Sequence, residues 1–211
     1  MKYSGLALLA IFSLNCFAEQ LTVDYASFYS HVRKIDKQET DKLQFGFGFQ
    51  NIHEDRLCVI DSAFISTQKQ KIELQVTEEN RFTVPSDKVL KLAKAKVIVE
   101  LQEAANICDI SVQLETKSEY LMQSYSQQGL AEIFSQYQTF FDDIGGFLSF
   151  MMPDATGLTF HFKGNVKDIY KGKSVTATTD NTLSVDEKWL NKNQGLEFTN
   201  SPYRITATTS K

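Results

Sequence analysis

The sequence is poor in the residues that announce chemistry. Its 211 residues include 3 Cys, 3 His, 3 Pro and 1 Trp. His31, His53 and His161 stand far apart, and none has a second His at metal-ligand spacing. There is no His-Glu-x-x-His of a zinc protease and no Gly-x-x-x-x-Gly-Lys to cradle a phosphate. A Gly-x-Ser-x-Gly nucleophile turn is also missing, as is Cys-x-x-Cys. No catalytic residue, metal-ligand set or cofactor therefore follows from motifs. A cationic surplus is missing too: 22 Lys+Arg face 26 Asp+Glu, for a net charge of −4. A nucleic-acid binder needs a basic face to displace counterions, so nucleic acid is excluded as a partner. Long apolar runs are absent, and nothing after the N-terminus approaches the roughly 20 residues of a membrane-spanning helix. With 10 Gly and 42% hydrophobic residues, the chain is neither low-complexity nor too polar for a packed core.

What is present begins at the N-terminus. Lys2 precedes an apolar run from Leu6 to Phe12, and Cys16-Phe17-Ala18 supplies small residues on either side of a spacer. That is the layout of a secretory signal peptide over 1–18, cleaved after Ala18 to leave 193 residues. The expected location is the periplasm. The alternative is a lipoprotein anchored through Cys16, although Ser13-Leu14-Asn15 fits the required triplet poorly.

Export changes the reading of the other two cysteines. In an oxidising compartment Cys58 and Cys108 most simply form one disulfide, and the alternatives are two buried thiols or a catalytic Cys. Period-two alternation places Cys108 on one face with Ile110, Val112 and Leu114, and Cys58 with Ile60, so both cysteines are expected to point into a core.

The pattern along the chain predicts an α+β fold. The antiparallel, β-rich region over 19–117 is a sandwich or sheet, and 118–211 is an amphipathic helix plus a smaller β region packing on the first. A short helix is predicted at 27–35. Strands are predicted at 43–49, 57–60, 71–76, 81–84, 97–101 and 108–114, with a helix from Asp87 to Ala93. In the clearest strand, Leu43, Phe45, Phe47 and Phe49 share one face. Gly46 and Gly48 leave the other face flat enough for a backbone or a ligand to approach. Leu130, Ile133, Phe134, Tyr137, Phe140, Phe141 and Ile144 form a helical stripe, a natural cover for the Phe strand. Strands are predicted at 158–162, 175–179, 196–199 and 203–208.

Sixteen Phe and eight Tyr are the most distinctive feature. The 147–152 segment offers Phe147, Phe150, Met151 and Met152 as a possible apolar contact surface, since Phe and Met suit adaptable contacts. Lysines recur at Lys88, Lys91 and Lys94, and again at Lys163, Lys167, Lys171 and Lys173; each set reads first as a solvated face.

Several stretches together carry a resemblance: Arg81-Phe82-Thr83-Val84-Pro85 with Asp87-Lys88 and Leu90-Lys91, Leu57-Cys58-Val59-Ile60, Cys108-Asp109-Ile110-Ser111-Val112, and Phe140 through Pro153. The chain resembles DUF2987, a family of exported proteins of marine gammaproteobacteria without a known activity. The resemblance implies export and a Cys58–Cys108 pair, and carries no catalytic residue with it. The function expected is that of an exported, non-enzymatic protein that binds a partner or supports the cell envelope. A carrier of an apolar small molecule in a Phe-lined groove is the alternative, and an unrecognised hydrolase is a third reading. The expected partners are an envelope protein or an apolar small molecule.

Overall fold

The computed structural model describes residues 19–145, 154–166, 177–179, 181–192 and 195–210. The first part contains β1 (Glu19–Asp24), α1 (Tyr25–Val32), β2 (Leu43–Asn51), β3 (Ile60–Ser66), β4 (Lys71–Leu74), α2 (Lys88–Leu92), β5 (Lys96–Leu101) and β6 (Cys108–Thr116). The second contains β7 (Ser124–Ser126), α3 (Gln127–Gly145), β8 (Ala155–His161), β9 (Ala177–Thr178), β10 (Thr182–Asp186), α4 (Glu187–Lys192), β11 (Gly195–Glu197) and β12 (Arg204–Thr209). Strands join in two four-stranded sheets, β1-β5-β3-β4 and β12-β8-β10-β9, and in two ribbons, β2-β6 and β7-β11. All these ladders are antiparallel. The architecture is α+β, with a β-rich N-terminal half followed by a long helix and a smaller β region. No helix among the described residues is long and apolar enough to cross a membrane.

The β2-β6 ribbon is the spine. Its alternation does what the sequence predicts: Leu43, Phe45, Phe47 and Phe49 are all buried. Their cover is not the helical stripe alone. α1 brings Tyr25, Phe28 and Val32 inward at helical spacing. Phe28 meets the Phe47 ring edge-on at 4.9 Å and lies 5.8 Å from Phe82. α3 reaches the strand mainly at its start, where Phe140 packs edge-on against Phe45 at 5.7 Å. The rest of α3 lies over the second sheet: Tyr137, fully buried, donates to the Ile205 carbonyl at 2.8 Å and shares a 3.1 Å hydrogen bond with Thr116. The space between the Phe strand and the stripe is filled by rings at this contact.

The glycine face is approached by backbone. A Cβ at Gly48 would lie 2.9 Å from the Asn80 carbonyl oxygen, and one at Gly46 would lie 3.0 Å from the Glu115 carboxylate. Asn80 itself adopts φ +56°, a left-handed conformation that Asn tolerates better than most residues.

Three expectations are corrected. Residues 81–84 do not form a strand; Phe82 makes isolated bridges to Phe47 and to Val76. The 57–60 strand begins only at Ile60 and runs on to Ser66. On β6, Cys108 is buried, but Ile110 and Val112 are exposed, because the cover over the neighbouring Phe face does not extend across the ribbon to them.

Cys58 and Cys108 are bonded, with Sγ atoms 2.04 Å apart and Cα atoms 6.2 Å apart. The bond closes a 50-residue separation and ties the chain before β3 to the first residue of β6. A closed loop of that size removes enough unfolded-state entropy to stabilise the fold by about 2–5 kcal/mol. The Cys58→Ala/Cys108→Ala double variant is therefore expected to lose that much in urea unfolding monitored by circular dichroism. Reduction of the wild type should give a matching loss, and an unchanged urea midpoint would contradict the argument.

Candidate functional site

The site arises from a hairpin that does not close. β3 and β4 are joined by a tight turn in which the Thr67 N–H donates to the Gln70 carbonyl at 3.0 Å. From that bonded pair, antiparallel alternation makes Ile65–Ile72 and Ala63–Leu74 the bonded pairs of the ladder. The N–H and C=O of Lys71, Glu73 and Gln75 then point away from β3. β4 is the edge of its sheet, so no strand of that sheet takes them up.

The chain turns back through Thr77–Arg81, closed by a 2.7 Å bond from the Thr77 N–H to the Arg81 carbonyl. The returning segment pairs with the continuation of β4 at the Val76–Phe82 bridge, while the main chain of Phe82 itself turns to the other side. Its N–H and C=O exchange two 2.8 Å hydrogen bonds with Phe47 of β2. Beyond it Pro85 has no N–H to donate. The Pro85 carbonyl accepts from the Tyr25 hydroxyl at 2.5 Å, and the same hydroxyl accepts from the Asp87 N–H at 3.0 Å. Residues 83–86 are thus held away from β4, and a cleft of about 540 Å³ opens between them.

Val32, Ile35, Leu43 and Phe45 form an apolar floor, all buried. Ile72 and Leu74, half-buried, project from β4, and Val84 faces them from the other wall. Asp36 and Lys117 stand at the rim. Asp36 accepts from the Ser86 hydroxyl at 2.7 Å, and neither charge closes an ion pair among the described residues. Nearly half of the lining residues are polar or charged, so the cleft joins an apolar floor to polar walls and rim, the character of a ligand-binding cleft.

A second polar assembly lies where the two halves meet. Arg81 and Arg204 approach each other there, close to Glu115, with Glu79 nearby. Arg81 reaches the Gly46 carbonyl at 3.3 Å and the Ser111 hydroxyl at 3.4 Å. The Nε of each arginine is buried without a hydrogen-bond partner among the described residues. Burial, then the charge of Arg204, lowers the Arg81 pKa. Burial raises that of the Glu115 carboxyl, against the opposing effect of the Gln44 amide that donates to it at 3.0 Å. His161 adjoins this group, its Nε2 3.0 Å from the Thr206 hydroxyl.

The other sequence-predicted features fall as follows. Cys58, Cys108 and Glu103 lie together, but each sulfur is bonded to the other, which leaves no thiolate to bind a metal. Phe147, Phe150, Met151 and Met152 lie outside the described residues, as do Cys16, Lys167, Lys171 and Lys173. Lys163 is not part of a basic patch, for it pairs with Glu78 and sits 3.9 Å from Glu79. Lys88, Lys91 and Lys94 lie on and just after α2, beside exposed Val89 and Leu92. His53 belongs to a polar turn in which Asn51 Oδ1 accepts from two backbone N–H groups. His31 is half-buried on α1, its ring edge-on to Phe45 at 5.7 Å and to Phe47 at 5.9 Å. The sequence pattern places the floor residues on the predicted 27–35 helix and 43–49 strand, and the wall residues in the predicted 71–76 and 81–84 strands; what it does not show is the opening between those walls, which begins past the Val76–Phe82 bridge.

The model of a family described as proteins of unknown function, DUF2987, matches residues 17–162. No curated protein and no solved structure matches the chain.

The seam makes a pH-dependent statement. Burial, with the charge of Arg204 adding to it, pushes the His161 pKa down from 6.5 to about 4. As pH falls from 6.5 to 4 the unfolded chain takes up a proton that the folded imidazole refuses, so stability drops across that window. The wild type should lose more stability between these pH values than His161→Gln, which keeps a partner for Thr206. The check is a urea midpoint at each pH for both proteins. Equal slopes, or an imidazole titrating near 6.5 by NMR, would contradict it.

Proposed function

We propose that this chain, which belongs to the DUF2987 family of proteins of unknown function, is an exported, non-enzymatic binding protein. In this reading it holds an apolar ligand in the cleft between β4 and residues 83–86. The observation that carries this is the cleft itself, about 540 Å³ and floored by Val32, Ile35, Leu43 and Phe45. Buried apolar side chains beneath an open, polar-rimmed mouth are what an apolar ligand exchanges for water. The ligand is an apolar small molecule or the apolar segment of an envelope protein.

Export is supported by the leader pattern of 1–18 and by the Cys58–Cys108 bond, which persists in an oxidising compartment such as the periplasm. Within the mature chain we assign binding to 19–117. The part over 118–211 packs against it through Phe140 on Phe45 and Tyr137 on Thr116, and so supports the cleft from behind.

The test is a fluorescence titration of the purified mature chain with N-phenyl-1-naphthylamine, whose emission rises in apolar surroundings. Saturable enhancement is expected. Leu74→Asp, at a half-buried position on the edge strand, should weaken it about tenfold or more, the equivalent of about 1.4 kcal/mol. Circular dichroism establishes that the variant folds. Absence of saturable enhancement, or enhancement indifferent to both Leu74→Asp and Ile72→Asp, would remove the assignment.

A further inference from the structure

The geometry points to an extended polypeptide strand as the occupant of the cleft, docking by addition to the outer edge of β4. This rests on the cleft being the binding site, and it specifies the chemistry of what binds there.

Three observations carry it. First, the walls present backbone polarity beside that of their side chains. The N–H and C=O of Glu73 face the opening, as the alternation from the Thr67–Gln70 pair requires, while those of Gln75 face Thr83 beside the Val76–Phe82 bridge. Second, β2 presents the same groups from below. Phe47 turns its N–H and C=O away from β6 to reach Phe82, and the Phe49 carbonyl does likewise to accept from the Cys58 N–H at 2.7 Å. Phe45, two residues earlier, must point the same way, yet its N–H and C=O meet no partner among the described residues. Phe45 is buried, and buried backbone groups are almost always paired, so this pair awaits a partner from the cleft. A hydrocarbon ligand offers none, whereas a polypeptide strand offers one N–H and one C=O per residue. Third, the rim carries one charge of each sign, Asp36 and Lys117, that closes no ion pair among the described residues. A peptide with a basic and an acidic residue flanking an apolar stretch matches both.

The mode of recognition follows. Main-chain bonds to β4 supply register, and every second side chain of the guest enters the apolar floor between Leu74 and Val84. The wall from Ile72 to Gln75 spans about 10 Å at the usual rise of a strand, room for about three to four residues of guest.

The test uses a panel of blocked octapeptides with Lys first, Glu last, and Thr alternating with Val, Leu, Ile or Phe between them. Each active member is also made with N-methyl groups on alternate amides, in either phase. The expected result is that members of the panel displace N-phenyl-1-naphthylamine from the mature chain and slow amide hydrogen exchange at Glu73 at least tenfold. N-methylation in one phase should weaken binding at least tenfold, and in the other far less. Glu73→Pro removes an outward donor without touching the ladder to β3, and should cut peptide affinity at least tenfold in protein that circular dichroism shows to be folded. If the naphthylamine binds saturably but no peptide displaces it, the strand-addition inference fails and the apolar-ligand reading stands. If neither binds, both fail. Binding indifferent to both phases of methylation overturns the inference, as does a concentration-dependent dimer of the chain that excludes the peptides, which would give the edge to a second copy.

Discussion

Two hydrogen bonds between Phe47 and Phe82 govern the arrangement of the whole N-terminal half. Phe82 sits where the chain has just turned back from β4, and it bridges to Val76 just beyond that strand. By giving both backbone groups to β2 it fastens the four-stranded sheet to the β2-β6 ribbon at one point. Its ring, fully buried, then joins Phe28, Phe47 and Phe49 in a single aromatic layer. The same contact needs β2 to be approachable from its flat side, where Asn80 and Arg81 come down on Gly48. Large rings on one face and no side chains on the other are thus one requirement, met by the alternation of Phe and Gly. The hairpin closes as far as the Val76–Phe82 bridge and opens beyond it, where Pro85 has no N–H to donate and its carbonyl is taken by Tyr25.

The remaining ties act on that frame at its ends. The disulfide holds the far end of the ribbon, where Cys108 opposes Asn51 and the Cys58 N–H already binds Phe49. At the near end the second half takes over: Phe140 covers Phe45, Gln136 accepts from the Lys42 N–H at 2.7 Å, and Tyr137 bridges Thr116 to β12. Arg81, Glu115 and Arg204 add charge at the middle of the seam. Buried charges of this kind contribute little net stability, because desolvation cancels most of their attraction. Their effect is to fix which surfaces meet, while rings and main-chain bonds supply the stability.

Much of this was legible in the residue pattern, and the failures have physical causes. The Phe-Gly alternation, the apolar stripe of α3 and the two cysteines each repeat or pair a strong local signal, and each found its place. β1 gave none: Glu19–Asp24 is half-exposed along its length, and only its pairing with β5 makes it a strand. The run Ile110–Val112 read as core because period two identifies a shared face and not whether anything covers it; α1 is wide enough to cover β2 and no more. The stripe of α3 was genuine, but which sheet it covers depends on β8 and β12, which lie far along the chain. The cleft was the least legible feature. It is made by pairing that does not happen, and no pattern of residue types records an unmade hydrogen bond. Pro85, directly after the predicted 81–84 strand, is the one local sign, since a residue without an N–H cannot continue the pairing.

Both the seam and the cleft hold polar groups without protein partners, and they differ in what could satisfy them. At the seam the orphans are the Nε atoms of Arg81 and Arg204, enclosed where the two halves meet. To reach them a ligand would have to part Tyr137 from Thr116 and Ile205, which are buried and bonded. At the cleft the orphans are main-chain groups facing an opening, above side chains already arranged to receive apolar surface. An unpaired edge is a liability that folds usually blunt with charge, and β4 carries Lys71 and Glu73, ion-paired at 2.8 Å, on its exposed side. That pair discourages sheet-to-sheet association on its own face and leaves the inward face of Ile72 and Leu74 free. An edge guarded on one side and apolar on the other selects a single short strand over another whole sheet, and this selectivity distinguishes a binding edge from an unprotected one.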